Sequence, residues 1–557
     1  MNVGEAIVKT LEDIGVDRVF AGSGQSDSDI LFALAESDDI ETVIIRNEQG
    51  GSFMACGYSM FTEKLGVVVT TAGPGAVNII SGMCVAYSDS LPILGITGYA
   101  PVPARGKGDL GESTGLYRTP DTQRMFEACT KKSVILEKPE DTLDVLEDLI
   151  NTAYEGRWGP VHLHLPYDIS LSEVEYRPID FQKQRVEPTP KKVAQFAEVL
   201  ARALKEGKKV AAIFGYGAIR SGAEDAAAAF VDKFQIPFMT TMDAKGIIPE
   251  NHPLSMGMPG IATDPGARQT YLDADIVIAV GNSFAKWSCW KWDEGLFGHA
   301  QLMHINVDKE AIGRVYDADY HMAADARLAL EAVTAELEGK VSSPSGAWAK
   351  RDKHHDEVIE YDGDKVHPGM LVQKLSGLLP ERAVVLGDAG GHMLWLSCYL
   401  SLNGGQIYQN PGTFGPMASH VNAAVGVAAA NPDRRVIAGV GDGDWQMAGW
   451  ELMTAVQNRI PVVWIVFNNG EFNIIKYMQM RTHGGREVFN RILGPDLKAV
   501  AEACGAHGVT VTELEEFEPA FRAALECGGP AVIDVHVESE VYPPFALLHE
   551  EHSVLQR

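Results

Sequence analysis

VIAGVGDGDWQMAGWELMTAVQNRIPVVWIVFNNGEFNII, running from Val436 to Ile475, decides the reading of this 557-residue chain. An apolar strand, Val436–Val440, runs into Gly441-Asp442-Gly443. A helical stretch follows, and a second apolar strand, Val462–Phe467, ends in Asn468-Asn469-Gly470. Twenty-five residues separate Gly443 from Asn469. That spacing suits two adjacent parallel strands joined by a crossover helix, with their carboxyl ends side by side where ligands bind in open α/β sheets. Asp442 and Asn469 then both offer side-chain oxygens to one hard divalent cation, and the glycines let a diphosphate approach the backbone.

The first hundred residues repeat the plan. The run Thr42-Val43-Ile44-Ile45-Arg46-Asn47-Glu48-Gln49-Gly50-Gly51 reads as an apolar strand that Glu48 closes before a helix rich in small residues. A carboxyl there is expected to be largely desolvated, which raises its pKa and lets it share a proton with a ring nitrogen. The plainer reading is a helix-start glutamate that complements the macrodipole. Leu65–Asn78 then reads as a strand, a Gly73-Pro74-Gly75 turn and a helix. The chain continues through Ala86-Tyr87-Ser88-Asp89-Ser90-Leu91-Pro92 into the strand Ile93–Thr97.

Gly-Asp-Gly, a spacer of this length and Asn-Asn form the signature of thiamine diphosphate enzymes, which this chain resembles over nearly its whole length. The strand, Gly-Pro-Gly turn and Ala-Tyr-Ser-Asp-Ser run are similar to acetohydroxyacid (acetolactate) synthases and their relatives, a group that extends to benzoylformate decarboxylase-like proteins. The resemblance implies Mg²⁺ held by Asp442, by the side chain of Asn469 and by the main-chain carbonyl of Glu471. It makes Glu48 the acid that bonds N1′ of the cofactor's aminopyrimidine. Gly391 and His392, in Asp388-Ala389-Gly390-Gly391-His392, fall near the phosphates, beside Gly443 and Asp444. The Gly415 carbonyl accepts from the 4′-amino group, and Met417 wedges beneath the bent cofactor, ahead of a small-residue helix, Ala418–Ala430. Ile474, with Tyr477 and Met478 at helical spacing, is expected to face the thiazolium, and Gln25 to reach the substrate. Asp444 stands where many relatives carry a small residue, and its carboxylate repels a diphosphate unless it points away.

The same resemblance organises the chain as α/β, with three doubly wound parallel-sheet domains. A pyrimidine-binding domain spans 1–180, a central Rossmann-like domain 190–340 and a diphosphate-binding domain 367–540. A tail or lid at 541–557 follows. Charged or polar linkers at Lys183–Lys192 and Gly339–Val366 fall between the domains. Gly215-Tyr216-Gly217-Ala218 in the central unit is a weak nucleotide signal, and relatives carry FAD, ADP or nothing there. Lys286, Trp287, Trp290, Lys291 and Trp292 form a basic-aromatic cluster suited to stacking on an adenine or lining the substrate entrance, with an exposed loop packed at an oligomer interface slightly favoured.

Composition narrows the partners. Lys and Arg number 47 against 75 Asp and Glu, a net charge of −28, which argues against nucleic acid or an anionic membrane. No apolar run is long enough to span a bilayer. Seven scattered cysteines fit reduced, buried thiols, and Met1–Leu11 reads as a helix start without a targeting segment, so a cytoplasmic protein is expected.

Departures within the resemblance bear on the reaction. Asn47 stands where acetohydroxyacid synthases place His before the glutamate, and Thr119-Pro120 precede Asp121 in place of Gln-Glu. The paired histidines and the extra glutamate of simple pyruvate-type decarboxylases are absent, with Val69 and Thr70 standing on the Gly-Pro-Gly side and Ile475 near the metal loop. Arg46-Asn47-Glu48-Gln49 echoes 2-hydroxyacyl-CoA lyases and oxalyl-CoA decarboxylases. The expected activity is decarboxylation of a small 2-oxo acid followed by carboligation, with a 2-hydroxyacyl-CoA lyase as the alternative. The resemblance further implies a homodimer or homotetramer with Glu48 and the Mg²⁺ site on opposite subunits.

Overall fold

The computed structural model describes residues 1–260, 264–289, 291–341 and 348–544. Its strands fall into three sheets, and every pairing among them is parallel. The first holds β1 (Arg18–Ala21), β2 (Glu41–Ile44), β3 (Gly66–Thr70), β4 (Ile93–Tyr99), β5 (Lys132–Ile135) and β6 (Val161–Pro166), in the order 2-1-3-4-6-5. The second holds β7 (Val210–Phe214), β8 (Phe238–Thr240), β9 (Ile276–Val280), β10 (Gln301–Asn306) and β11 (Tyr320–Ala323), in the order 11-10-9-7-8. The third holds β12 (Val384–Gly387), β13 (Ile407–Gln409), β14 (Val436–Gly441), β15 (Val462–Asn468), β16 (His507–Val511) and β17 (Ala531–His536), in the order 13-12-14-15-17-16.

Renumbered from its own first strand, the third sheet has the topology of the first. In each sheet the order reverses at a switch point, between β1 and β3, between β7 and β9, and between β12 and β14. A doubly wound sheet binds ligands at that crevice, outside the carboxyl ends of the strands. The central strands β3, β7, β9 and β14 are buried along their whole length, as continuous Val, Ile and Ala runs require when helices cover both faces.

The outer units meet through two helices, Glu48–Met60 and Ser419–Ala430, and small residues set their approach. A Cβ at Gly57 would lie 2.0 Å from the Ala423 carbonyl oxygen, and one at Gly426 1.8 Å from that of Met54. The backbones therefore touch directly, and a methyl group at either position would drive the helices apart. A buried ion pair inside the central unit sits at its border with the third: Lys245, 2% exposed, contacts Glu250, 4% exposed, at 2.7 Å. The Glu250 carboxylate also accepts from the Leu402 N–H at 3.2 Å.

Candidate active site

The crevice between β12 and β14 opens into a cavity of about 1180 Å³. Gly391, His392, Gly415, Met417, Asp442, Gly443, Asp444, Asn469, Glu471 and Ile474 all line it, so residues spread over 84 positions of sequence meet at one wall. Two helices, Gly391–Tyr399 and Asn473–Thr482, begin there, and a Cβ at Gly391 would lie 3.7 Å from Asn473 Oδ1. Facing helix N-termini present unpaired N–H groups to an anion. Gly443 needs its missing side chain, because a Cβ would meet Phe472 at 2.7 Å and Met417 Cε at 3.4 Å. Ala418 has φ +68°, a left-handed conformation unusual for a residue with a Cβ, immediately after Met417.

Asp442 is 4% exposed, and its Oδ2 accepts from the Gly470 N–H at 3.1 Å. Burial pushes its carboxyl up to about 6. Asn469 Oδ1 accepts from the Glu471 N–H at 3.1 Å, which fixes the loop that presents the Glu471 carbonyl. Among the described residues no group of three His, Cys, Asp or Glu side chains gathers to hold a metal. One carboxylate, one amide oxygen and one carbonyl still form an all-oxygen donor set of the kind Mg²⁺ takes when phosphates complete its shell.

Asp444 lines the cavity with its carboxylate drawn back onto the chain. Its Oδ2 accepts from the Gly441 N–H at 2.9 Å and lies 3.2 Å from His392 Nε2. Burial lowers His392 to about 3 and pushes Asp444 well up. His392 is thus a neutral ring set against a buried carboxyl. Of the three residues expected at the thiazolium, only Ile474 lines the cavity. Tyr477 packs into the third unit's core and stacks near Tyr542 at 4.2 Å, while Met478 is 42% exposed. The helix Asn473–Thr482 turns them away from the wall that its first residues form.

Glu48 and Gln25 do not reach this cavity. Asn47 caps the helix Glu48–Met60, accepting from the Gln49 N–H at 2.9 Å, and Glu48 Oε2 accepts from Asn78 Nδ2 at 2.9 Å. Glu48 lies beneath Gly22 and Gly75, at the crevice between β1 and β3, and Gln25 is exposed. The expected desolvation of Glu48 is corrected: the side chain is only partly buried, because within one chain the loops of its own unit alone surround it.

Other residues at the site escaped the sequence reading. Glu451, 3% exposed, accepts from the backbone N–H groups of Arg46 at 3.0 Å and Asn47 at 2.7 Å. The third unit thereby holds the turn that presents Glu48. Asp388 accepts from the N–H groups of His420 and Val421, both at 2.9 Å, and anchors the helix after Met417. Asp89 packs against Gly412, where a Cβ would lie 2.0 Å from its Oδ1. Tyr87-Ser88-Asp89 had marked a resemblance without a role.

The cavity extends to the crevice between β7 and β9. Tyr216, Thr241, Asp243, Asn282, Gln409 and Asn410 line this lobe, and each buries a polar atom that lacks a partner within the chain. Burial, with the charge of Asp89, raises Asp243 to about 8. Lys286, Trp287 and Trp292 also line the cavity, with Arg157 and Arg314. Trp290 lies outside the described residues.

Comparison with known proteins agrees with this arrangement. Three family models match in order: the thiamine pyrophosphate enzyme N-terminal TPP binding domain over residues 1–123, the central domain over 197–333, and the C-terminal TPP binding domain over 388–535. The acetolactate synthase large subunit of Corynebacterium glutamicum is 29% identical, covering 98% of this chain and 88% of its own length. The acetolactate synthase of Arthrospira platensis is 29% identical over 99% of this chain and 97% of its own. A putative thiamine pyrophosphate-containing protein of Bacillus subtilis is 27% identical over 97% and 92%. With all three domains matched in sequence and the motifs converging on one crevice, the chain belongs to the thiamine pyrophosphate enzymes, which use the cofactor also called thiamine diphosphate.

Proposed function

We propose that this chain is an acetolactate synthase-like enzyme that uses thiamine diphosphate and Mg²⁺ to decarboxylate a small 2-oxo acid and ligate the product to a second carbonyl. The convergence of ten motif residues on one cavity carries the reading, and the acetolactate synthase relatives support the substrate class. When bound, thiamine diphosphate supplies a carbon nucleophile that adds to the 2-oxo group and stores the electron pair released by C–C cleavage. The chain's own contributions are separable. Asp442, Asn469 and the Glu471 carbonyl hold the metal. The N-termini at Gly391 and Asn473 receive phosphate oxygens. Met417, seated against Gly443, sets the cofactor's bend, and Glu48 holds a proton at the aminopyrimidine.

In this reading Glu48 meets the cavity of a second copy, because its own chain leaves it outside. Leu110, Phe489 and Leu493 are more than 90% exposed, apolar surface that a partner copy would cover. No helix among the described residues is long and apolar enough to cross a membrane, and we place the homo-oligomer in the cytoplasm. The polar lobe at β7 and β9, rimmed by Trp287, Trp292 and Lys286, offers buried polar atoms that an adenine nucleotide would satisfy. Mass spectrometry of products from pyruvate and other 2-oxo acids, with the cofactor and Mg²⁺ supplied, tests the activity. CO₂ with a ligated hydroxyketone is expected. Turnover of a 2-hydroxyacyl-CoA alone would replace this reading with the lyase.

A further inference from the structure

Beyond the carboxyl ends of β14, β15 and β17 the cavity is lined by Asp442, Asp444, Glu471 and Glu538, yet only the Asp442 carboxylate belongs to the proposed donor set. The other three carboxylates are each tied back to the chain. Asp444 accepts from the Gly441 N–H at 2.9 Å. Glu538 accepts from the Tyr361 hydroxyl at 3.0 Å and from the N–H groups of Ser539 at 2.8 Å and Glu540 at 3.1 Å. Glu471 accepts from Lys476 Nζ at 2.8 Å.

Of these partners Lys476 is the uncommon one. It is 4% exposed and sits in the first turn of the helix Asn473–Thr482, where its N–H donates to the Phe472 carbonyl at 2.9 Å. A lysine is seldom so buried unless its charge is matched. Its ammonium also donates to Glu540 Oε1 at 2.6 Å, so one cation joins the loop after β15 to the chain beyond β17. Two further bonds reinforce that junction: Asn473 Nδ2 donates to the Ser539 carbonyl, and the Val537 N–H to the Asn468 carbonyl at 3.0 Å. A second cation, Arg491, lies 3.9 Å from Glu471 Oε1 with its side chain 82% exposed. Lys476 therefore makes the shorter and better shielded contact with the Glu471 carboxylate.

That carboxylate hangs from the residue whose carbonyl is assigned to the metal, so the torsions of one side chain decide whether it becomes a ligand too. Joining the shell, it would add oxygens and a full negative charge. Mg²⁺ demands a tight octahedron, whereas Ca²⁺ takes more oxygens and readily accepts a bidentate carboxylate, so a second carboxylate favours the larger ion. We propose that Lys476 is a positioning residue that sets the metal preference of the site. By gripping the Glu471 carboxylate it leaves Asp442 as the single carboxylate ligand, and so favours Mg²⁺ over Ca²⁺. The inference rests on the reading of Asp442, Asn469 and the Glu471 carbonyl as the metal's ligands.

Calorimetric titration of Mg²⁺ and, separately, of Ca²⁺ into the full chain saturated with thiamine diphosphate tests it. In Lys476→Met, Ca²⁺ should gain on Mg²⁺ by at least about tenfold, read as the ratio of the two dissociation constants. Lys476→Gln serves where methionine does not pack. Lys476→Arg, which keeps a cation for the carboxylate, should hold the original ratio, and adding Glu471→Gln to Lys476→Met should restore it. A ratio that does not move in Lys476→Met overturns the inference. So does an equal weakening of both ions, which is what a merely loosened loop would give. Glu471→Gln alone keeps the carbonyl and should leave the ratio where it was; a loss of Ca²⁺ affinity there would place the carboxylate at the ion already and also overturns it. Asp442→Ala separates the two readings. If that variant binds both ions as the unchanged chain does, the metal site itself fails. If it abolishes binding while the Lys476 variants keep the original ratio, only the role of Lys476 fails.

Discussion

Replacing Glu451 should damage both the fold and the site, because one carboxylate oxygen holds two backbone N–H groups of the turn before Glu48. Glu451 Oε1 accepts from Arg46 at 3.0 Å and from Asn47 at 2.7 Å, some 400 residues away in sequence. Hydrogen bonds to a charged group contribute about 1.5–3 kcal/mol each. Burial of the carboxylate, which raises its pKa, offsets part of that gain. Glu451→Ala, which removes the acceptor from both donors, should cost about 2–4 kcal/mol. Glu451→Gln keeps an acceptor oxygen and should cost under about 1 kcal/mol. The Ala variant also frees the turn, and a displacement of about 1 Å at a reacting group costs on the order of 100-fold in rate. Urea unfolding of the cofactor-free protein, followed by tryptophan fluorescence, reads the first effect, and kcat with saturating cofactor the second. An Ala variant that unfolds at the original urea concentration and keeps its kcat would refute the reasoning.

Three further outcomes follow from the geometry. His164 is fully buried, its Nδ1 lies 2.9 Å from Thr97 Oγ1, and burial lowers it to about 3. A lowered histidine stabilises the fold above about pH 6.5 and loses that contribution as pH falls toward 3. The stability deficit of His164→Asn should therefore shrink on acidification, by up to about 1.4 kcal/mol per pH unit in urea titrations; a constant deficit would contradict this. Gly443→Ala should weaken cofactor binding at least tenfold in fluorescence titrations, since its methyl group would meet Phe472 at 2.7 Å; unchanged affinity would show that Phe472 yields freely. Inactive Glu48→Gln and Asp442→Ala chains, mixed and allowed to exchange subunits, should recover about one quarter of the original activity if each site joins two copies. No recovery despite proven exchange would place both residues in one chain's site.

Much of this architecture was legible where local pattern and site coincide. The apolar runs Val436–Val440 and Val462–Phe467 became β14 and β15, one residue longer at each carboxyl end. The turns after them carry the proposed metal ligands because crossover topology leaves those ends adjacent. Contacts between units left no such trace. Nothing near Glu451 announces that it bonds Arg46 and Asn47, and the fit of Gly57 against Ala423 depends on two helices far apart in the chain. The desolvation expected at Glu48 failed for a related reason, since the surface that would cover it is not supplied by its own unit. Side-chain direction was harder still. Ile474 and Met478 share helical spacing, yet only Ile474 sits at the wall, because the helix begins at the cavity and runs away from it.

The most direct test of the central claim is calorimetric titration of thiamine diphosphate into the cofactor-free protein, with and without Mg²⁺, alongside Asp442→Ala. One site per chain is predicted, with affinity that depends on Mg²⁺ and falls at least 100-fold in the variant. Binding that is equally tight without the metal, or undiminished by loss of Asp442, would contradict the assignment of the crevice between β12 and β14.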